Sequence, residues 1–265
     1  MCYNFIQGDK NMAVNYFCSG FDKDNAFWPE LGERLREDLP SQNRIVFIPG
    51  STKREKIDKT IEEKIPVFNE HFKKIGIEFK DVKCITLDTT KEEAREWVSN
   101  SDFIMLMGGN PFLQKDLIEA KGINQLLKNH NGVIMGFSAG AMNMSKYIII
   151  TPCSDEYPEF DVRVGLNLSE ISIYPHNNFD GDIFPESINM GDETTVSSDL
   201  NIVARQYGNF YCLQDHLRED NKTSVSLIRT TSSTFEILTN NDGKVFEVTP
   251  TNFNLVDTNN LQKNK

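Results

Sequence analysis

Residues 133–141 read Val-Ile-Met-Gly-Phe-Ser-Ala-Gly-Ala, an apolar run that ends in a Gly-x-Ser-x-Gly pattern centred on Ser138. The pattern predicts a strand, a sharp turn and a helix, because glycine at 136 and 140 removes side chains that would clash in so tight a bend. The Ser138 hydroxyl then stands clear of the sheet, and the N–H of Ala139 lies at a helix N-terminus, where it can stabilise an oxyanion. Ser138 is therefore a candidate nucleophile. The alternative is a small residue in an ordinary strand-to-helix turn.

Short apolar runs alternate with amphipathic segments through the first two-thirds of the chain. Strands are predicted at 14–18, 45–49, 83–87, 103–107 and 133–137, and helices at 53–76, at 91–98 and from Pro111 onward. Pro66 is expected to kink or divide the first of these helices. This order predicts an α/β fold, a mostly parallel sheet with helices on both faces. Ligands of such sheets bind at the carboxyl ends of the strands.

The last third of the chain has a different pattern. Further strands are predicted at 147–150, 169–174 and 209–213, and three Ser/Thr-rich strands follow at 224–229, 234–239 and 244–248. Asn240-Asn241-Asp242-Gly243 is typical of a hairpin turn, so we expect C-terminal β-hairpins. We predict one domain over 12–256, with polar tails at 1–11 and 257–265. Met12 is an alternative start to Met1.

The composition excludes several classes of partner. The 265 residues carry a net charge of −11, which disfavours nucleic acid and anionic membrane surfaces. No apolar stretch approaches the roughly 20 residues that cross a bilayer, and no signal-peptide pattern begins the chain. The five cysteines are widely spaced and lack a CxxC pair, as in reduced cytoplasmic proteins. We therefore expect a cytoplasmic location.

Polar residues follow four of the apolar runs, where the carboxyl ends of parallel strands share one edge. They are Gly108-Gly109, Ser138, His176 and Asp215. A serine nucleophile needs a base, and His176, after the run from Ile171, is the best of the four histidines. His71 is predicted at the surface or boundary of a helix, and His130 in a solvated turn.

The base in turn needs a carboxylate to orient it, and two candidates stay open. Asp155 lies in a turn after the strand at 147–150, and Asp215 ends the run from Phe210. Gly108 and Gly109 permit close backbone approach, so their N–H groups can join that of Ala139 in an oxyanion hole. The chain has no metal-binding spacing and no nucleotide-binding loop, so we expect no cofactor and no metal.

Several of these stretches together resemble the dipeptidase E family of serine peptidases, which are related to cyanophycinase. They include Ile48-Pro49, Asp102 before the strand ending in Gly-Gly-Asn-Pro-Phe, the Gly-Phe-Ser-Ala-Gly-Ala elbow, and Tyr-Pro-His after Gly165-Leu166. The resemblance runs from about Val14 to Val248. It implies the class I glutamine amidotransferase-like fold, a flavodoxin-like three-layer α/β architecture.

The resemblance also implies roles for individual residues. Ser138 matches the family's nucleophile and His176 its base. The family's acid lies between the two in chain order, which favours Asp155 over Asp215. Dipeptidase E cleaves peptides with an N-terminal aspartate and uses an arginine after the histidine, yet no Lys or Arg occurs between Asn177 and Ala204. Arg163 and Arg205 are the remaining candidates for binding a substrate carboxylate.

These observations predict a serine hydrolase, an exopeptidase or dipeptidase acting on small peptides. Two alternatives stay open. An amidotransferase-type enzyme normally carries cysteine where this chain has Ser138. A catalytically silent binding or regulatory protein on the same scaffold would account for the missing basic residues after His176. The sequence does not predict the oligomeric state.

Overall fold

The computed structural model of the chain describes residues 13–20, 27–150, 161–169, 171–177, 188–189, 195–196, 209–217, 223–232, 234–239 and 245–248. The predicted tails at 1–11 and 257–265 and the predicted hairpin turn at 240–243 lie outside these residues. None of the helices in the described ranges combines the length and apolar composition that crossing a bilayer requires.

Strands and helices alternate through the first half of the chain, as the sequence pattern predicts. The strands are β1 (Val14–Cys18), β2 (Arg44–Gly50), β3 (Asp81–Cys84), β4 (Phe103–Gly109), β5 (Val133–Phe137), β6 (Tyr147–Ile150), β7 (Asp161–Val164), β8 (Ile171–Asn177), β9 (Ile188–Asn189), β10 (Thr195–Val196), β11 (Asn209–Leu217), β12 (Thr223–Thr230), β13 (Phe235–Thr239) and β14 (Val245–Val248). The helices are α1 (Pro29–Asp38), α2 (Arg54–Lys59), α3 (Ile65–Lys74), α4 (Lys91–Ser99), α5 (Pro111–Lys121), α6 (Asn124–Lys128) and α7 (Ala139–Met144).

The main sheet has the strand order β14-β13-β12-β1-β5-β4-β2-β3. The five strands from β1 to β3 in that order are parallel. The pairs β1–β12, β12–β13 and β13–β14 are antiparallel. The α/β fold with a mostly parallel sheet and C-terminal hairpin strands, predicted from the sequence, is confirmed.

Two further strands extend the sheet past the carboxyl end of β1. The second half of β12 pairs with β1 and its first half pairs with β11, where Asp215 lies opposite Val225. Strand β8 pairs in parallel with β11. Two antiparallel steps separate β11 from β1, so β8 and β11 run in the same direction as β1 and lie at the carboxyl edge of the sheet.

Alternate residues of each central strand supply the two halves of the core, because successive side chains of a strand point to opposite faces. In β4, Ile104 and Leu106 pack on one face, where α4, α5, α6 and α7 cover the sheet. Phe103 and Met105 pack on the other face, under α1 and α3. The sheet is thus the middle layer of three, and this layering fixes where each strand end meets each helix start.

Local signals explain where the helices begin and end. Helix α4 starts at a capping box, in which Thr90 Oγ1 accepts from the Glu93 N–H at 3.1 Å and the Glu93 carboxylate accepts from the Thr90 N–H at 2.8 Å. Helix α5 starts after Asn110, whose Oδ1 accepts from the N–H groups of residues 112 and 113. It ends at Gly122, which has a left-handed backbone with φ +64°.

The predicted helix at 53–76 is divided ahead of Pro66. A π turn, Thr60–Lys64, separates α2 from α3, and the Ile65 N–H donates to the Thr60 carbonyl five residues earlier. Proline has no N–H to donate, so the chain widens its hydrogen-bond spacing by one residue in the turn before it. The helix is therefore divided just ahead of Pro66, as the sequence predicts.

His130 differs from its predicted position in a solvated turn. Its side chain is only 7% exposed, and Nε2 has no hydrogen-bond partner among the described residues. Burial lowers the pKa of His130 to about 4, an effect that Asp102 partly offsets. The residue lies beside the start of β5, where Gly132 and Asp102 pack closely around it. The imidazole is therefore held neutral inside the fold.

We expect this neutral imidazole to make the protein less stable in acid. The pKa of His130 is near 6.5 in the unfolded chain and about 4 in the folded protein. The stability that the neutral imidazole contributes is therefore fully present above pH 6.5, and it is lost as the pH falls from 6.5 toward 4. The loss between pH 7 and pH 4.5 should be about 2–3 kcal/mol. Urea denaturation at pH 7 and pH 4.5 measures it. In His130→Gln, which cannot take up a proton, the pH dependence should be smaller by that amount; equal slopes in both proteins would contradict the prediction.

Candidate active site

Strand β5 and helix α7 meet at Ser138 in the sharp turn that the sequence predicts. Ser138 has φ +52° and ψ −118°, a backbone conformation that L residues rarely adopt. Its N–H donates to the Cys18 carbonyl at 2.9 Å, which ties the turn to the end of β1. A side chain at position 140 would overlap the Leu106 carbonyl, and one at 136 would meet the backbone of α7. Glycine at both positions therefore lets α7 lie directly on β4 and β5.

The Ser138 hydroxyl contacts the imidazole of His176. The distance from Oγ to Nε2 is 2.7 Å, which is a short hydrogen bond between two residues 38 positions apart. Ser138 is partly exposed and His176 is exposed, so the pair is open to solvent at the carboxyl edge of the sheet. A hydroxyl bonded to an imidazole in this way is the arrangement in which a serine loses its proton to a base.

A β-bulge carries His176 to this position. Tyr174 pairs with Cys212 and Asn177 with Gln214, so β8 has one more residue than β11 between these pairs. The extra residue falls at Pro175-His176, where proline has no N–H for the ladder. His176 has φ +59°, again a conformation rare for a non-glycine residue. Bulges redirect side chains, and this one coincides with the residue that meets Ser138.

The Gly108-Gly109 turn lies against Ser138. A Cβ added at Gly108 would lie 3.3 Å from the Ser138 Cβ and 3.0 Å from the Phe137 ring. Gly109 has φ +145°, and a side chain there would overlap the backbone of Gly50 in β2. Glycine at position 109 therefore allows the backbones of β2 and β4 to approach this closely. Ala139 is the first residue of α7, so its N–H has no partner within the helix.

Of the two candidates for the triad acid, the structure describes the position of one along a strand, Asp215. Asp155 lies outside the described residues. Asp215 lies on β11, one residue beyond Gln214, whose pairing partner Asn177 follows His176. For this part of β11 the structure describes the backbone. The choice between the two carboxylates that the sequence left open therefore stays open.

A model of peptidase family S51 matches residues 19–243. The chain belongs to peptidase family S51. No curated protein matches it. A candidate peptidase E protein from Listeria monocytogenes EGD-e is 16% identical with a TM-score of 0.52, covering 86% of this chain and 98% of its own. A peptidase from an acI-B1 Actinobacterium has the same identity and TM-score and covers 89% and 97%. The likeness to these two structures is one of fold, and the predicted resemblance to the peptidase E family is confirmed.

The sequence offers two arginines for binding a substrate carboxylate, and the structure describes the surroundings of one of them, Arg163. Arg163 lies over the Phe112 ring, with 3.5 Å from Cζ to the ring centre, and pairs with Asp161 at 2.8 Å. Phe112 belongs to the first turn of α5, directly after the Gly108–Asn110 turn, and packs against the cluster of Met142, Ile148 and Ile150. Arg205 lies outside the described residues. Arg163 therefore lies beside the first turn of α5, with its charge partly balanced by Asp161.

Two buried amides beside the site were missed by the sequence analysis. Gln114 and Asn143 are both 0% exposed, on α5 and α7 respectively. A usable signal was present, since Gln114 shares the buried face of its helix with Leu117, Ile118 and Lys121. A polar residue on an apolar face needs hydrogen-bond partners inside the protein.

In the described part of the S51 peptidase, no group of three or more His, Cys, Asp or Glu residues is placed to hold a metal ion.

Proposed function

We propose that the protein is a cytoplasmic serine peptidase that hydrolyses small peptides, with Ser138 as nucleophile and His176 as general base. The observation that supports this most directly is the 2.7 Å hydrogen bond between Ser138 Oγ and His176 Nε2. Membership of peptidase family S51 supplies the reaction class. Asp155, favoured by chain order in the dipeptidase E resemblance, orients His176, and Asp215 is the second candidate for that role.

In the first half of the reaction, Ser138 Oγ attacks the scissile carbonyl carbon as its proton passes to His176 Nε2. The carbonyl oxygen becomes an oxyanion, which accepts hydrogen bonds from the N–H groups of Ala139 and the Gly108-Gly109 turn. Collapse of this intermediate breaks the C–N bond, and His176 gives its proton to the leaving amine. An acyl ester on Ser138 and a free amine result.

In the second half, water attacks the acyl ester while His176 takes a proton from it. A second oxyanion forms in the same position and collapses, and His176 returns the proton to Ser138 Oγ. The products are a carboxylic acid and the free enzyme. Each proton that His176 accepts is given back within the cycle, so the mechanism needs no metal or cofactor. Substrate choice is a separate question, because N-terminal aspartate requires a cation and Arg163 already pairs with Asp161.

Labelling with a fluorophosphonate probe, followed by peptide mapping, tests the assignment. We expect one labelled residue, Ser138, and no labelling of Ser138→Ala. A dipeptide panel that includes N-terminal aspartate and neutral residues then measures hydrolysis and specificity. Labelling that persists in Ser138→Ala would remove Ser138 from the mechanism. A wild-type protein that neither reacts with the probe nor cleaves any dipeptide would favour the silent binding protein, and glutaminase activity would favour the amidotransferase type.

A further inference from the structure

We propose that Gln114 is a positioning residue for the oxyanion hole, holding the Gly108-Gly109 turn in the shape that faces Ser138. The inference rests on the proposed function, since it assigns a role in the same reaction. Gln114 does not contact the nucleophile or the base. It acts through backbone carbonyls at the ends of β2 and β4, where the turn begins.

The turn is preceded by an irregularity in the parallel pairing of β2 and β4. Ile48 pairs with Leu106 and Gly50 with Gly109, so β4 has one residue more than β2 between these pairs. The extra residue falls at Met107-Gly108. It swings the following backbone toward the elbow, where a Cβ on Gly108 would lie 3.3 Å from the Ser138 Cβ. Such a shift disturbs the ladder and leaves backbone groups that need other partners.

Gln114 supplies a partner to both strands at the level of this shift. Its Nε2 donates to the Ile48 carbonyl at 2.8 Å and to the Met107 carbonyl at 2.8 Å. Both protons of one amide therefore bridge two neighbouring strands, in each case two residues before the strand ends, at Gly50 in β2 and at Gly109 in β4. This bridge fixes the spacing of the strand ends and so the direction of the Gly108-Gly109 peptide.

A second amide fixes the orientation of the first. Asn143 Nδ2 donates to Gln114 Oε1 at 2.9 Å and to the Pro111 carbonyl at 2.7 Å. Asn143 is on α7, the helix that starts directly after Ser138, and Pro111 is the first residue of α5. The two amides thus connect the turn to the elbow through side chains with no exposure to solvent. Buried hydrogen bonds of this kind are stronger than exposed ones and hold a single geometry.

The test compares Gln114→Met, which keeps the length of the side chain and removes both donors, with wild type. We expect kcat to fall roughly 10- to 100-fold, because the N–H donors of an oxyanion hole stabilise the transition state only when they are correctly placed. KM should change less than about twofold. Fluorophosphonate labelling of Ser138 should slow in step with kcat. The pH midpoint of kcat should stay at the wild-type value, since His176 is untouched.

Gln114→Glu gives a graded version of the same test. Burial keeps the new carboxyl protonated at low pH, where its one O–H can replace one of the two lost donors. Its kcat should lie between those of wild type and Gln114→Met at pH 6. Relative to wild type it should then fall as the pH rises, because ionisation removes the last donor. A purely structural role would produce no such pH dependence in kcat.

Lys121→Met is the matched control, as Lys121 is also buried and its Nζ donates to the carbonyls of Leu87 and Thr89. It should lose stability to urea like Gln114→Met yet keep wild-type kcat. Equal kcat in wild type and Gln114→Met overturns the role of Gln114 and leaves the peptidase assignment standing. An equal fall in Lys121→Met, or failure of both Gln114 variants to fold, overturns it in favour of general stability. A wild-type protein without probe reactivity overturns both proposals.

Discussion

Replacing Ser138 with alanine is expected to lower kcat for peptide hydrolysis roughly 10⁴- to 10⁶-fold, the range for losing the nucleophile of a serine triad. In the proposed mechanism, the Oγ that bonds to His176 at 2.7 Å is the atom that forms the acyl ester, and alanine has nothing to replace it. KM should be nearly unchanged, because no binding contact is removed. Steady-state hydrolysis of the best dipeptide from the panel measures both constants. Activity within tenfold of wild type would rule out Ser138 as the nucleophile.

The same position allows a stability control that separates function from folding. Ser138 has φ +52°, and a non-glycine residue in such a conformation carries strain of about 1–3 kcal/mol. Ser138→Ala keeps the Cβ and should have wild-type stability. Ser138→Gly should be more stable by about 1 kcal/mol, since relief of strain exceeds the entropy that glycine loses on folding. Urea denaturation of the three proteins checks this order. A less stable Ser138→Gly would show that the turn is not strained.

The central strands were predictable because each is a continuous apolar run bounded by turn residues. Strand β1 has the predicted bounds, and β5 is followed by the predicted elbow. Strand β3 was placed at 83–87 but spans Asp81–Cys84. This edge strand takes its register from Arg44, which lies opposite Asp81 and bonds its carboxylate at 2.6 Å. This boundary depends on an ion pair between two strands, which the hydrophobic pattern of one strand cannot predict.

Helix α1 and the burial of two histidines were not predicted. Helix α1 buries only a narrow stripe that includes Leu31 and Leu35 among charged residues, so its apolar pattern is weak. His71 was expected at the surface or boundary of its helix, yet it is 5% exposed and its ring lies 6.3 Å from that of Phe27. Phe27 precedes α1 and reaches His71 only through tertiary packing. Periodicity within one segment cannot reveal what another segment covers.

The candidate site was predictable as a set of residues but not as a geometry. The sequence placed Ser138, His176 and the Gly108-Gly109 turn after strand ends that share one edge. It did not predict that β8 joins the sheet through β11, nor that bulges in β4 and β8 direct the turn and the histidine. Bulges depend on register between strands distant in sequence, so they follow from the assembled sheet. Gln114, which bonds across one of them, was missed for the same reason.

A buried ionic cluster joins the C-terminal hairpin strands to the rest of the fold. Arg229 of β12 donates to both oxygens of Asp38, at 2.7 and 2.6 Å, and to Glu236 of β13 at 3.0 Å. The Tyr16 hydroxyl of β1 also donates to Asp38. Hydrogen bonding to Asp38 raises the pKa of Arg229, and burial raises the pKa of Tyr16, so one stays charged and the other stays a donor. The side chains of Arg229, Asp38 and Glu236 are 11%, 9% and 6% exposed.

Arg229→Met should therefore destabilise the protein by about 3–5 kcal/mol, the usual cost of leaving a buried charge without its partner. The loss comes from the Asp38 carboxylate, because Glu236 keeps a second cation, Arg34, at 3.5 Å. Urea denaturation at pH 7 measures it. The matched control is Arg54→Met, which removes an ion pair with Asp88 whose two side chains are 73% and 75% exposed. That change should cost less than about 1 kcal/mol.

A second substitution separates the uncompensated charge from simple loss of contacts. In the Arg229→Met protein, Asp38→Asn removes the negative charge but keeps the side-chain volume and a hydrogen-bond acceptor for Tyr16. If the buried carboxylate causes the loss, this double variant should recover a large part of it, whereas Asp38→Asn alone should destabilise wild type by leaving Arg229 underpaired. Additive losses in the double variant would show that Arg229 stabilises the hairpin strands through packing of its alkyl chain instead of through its charge.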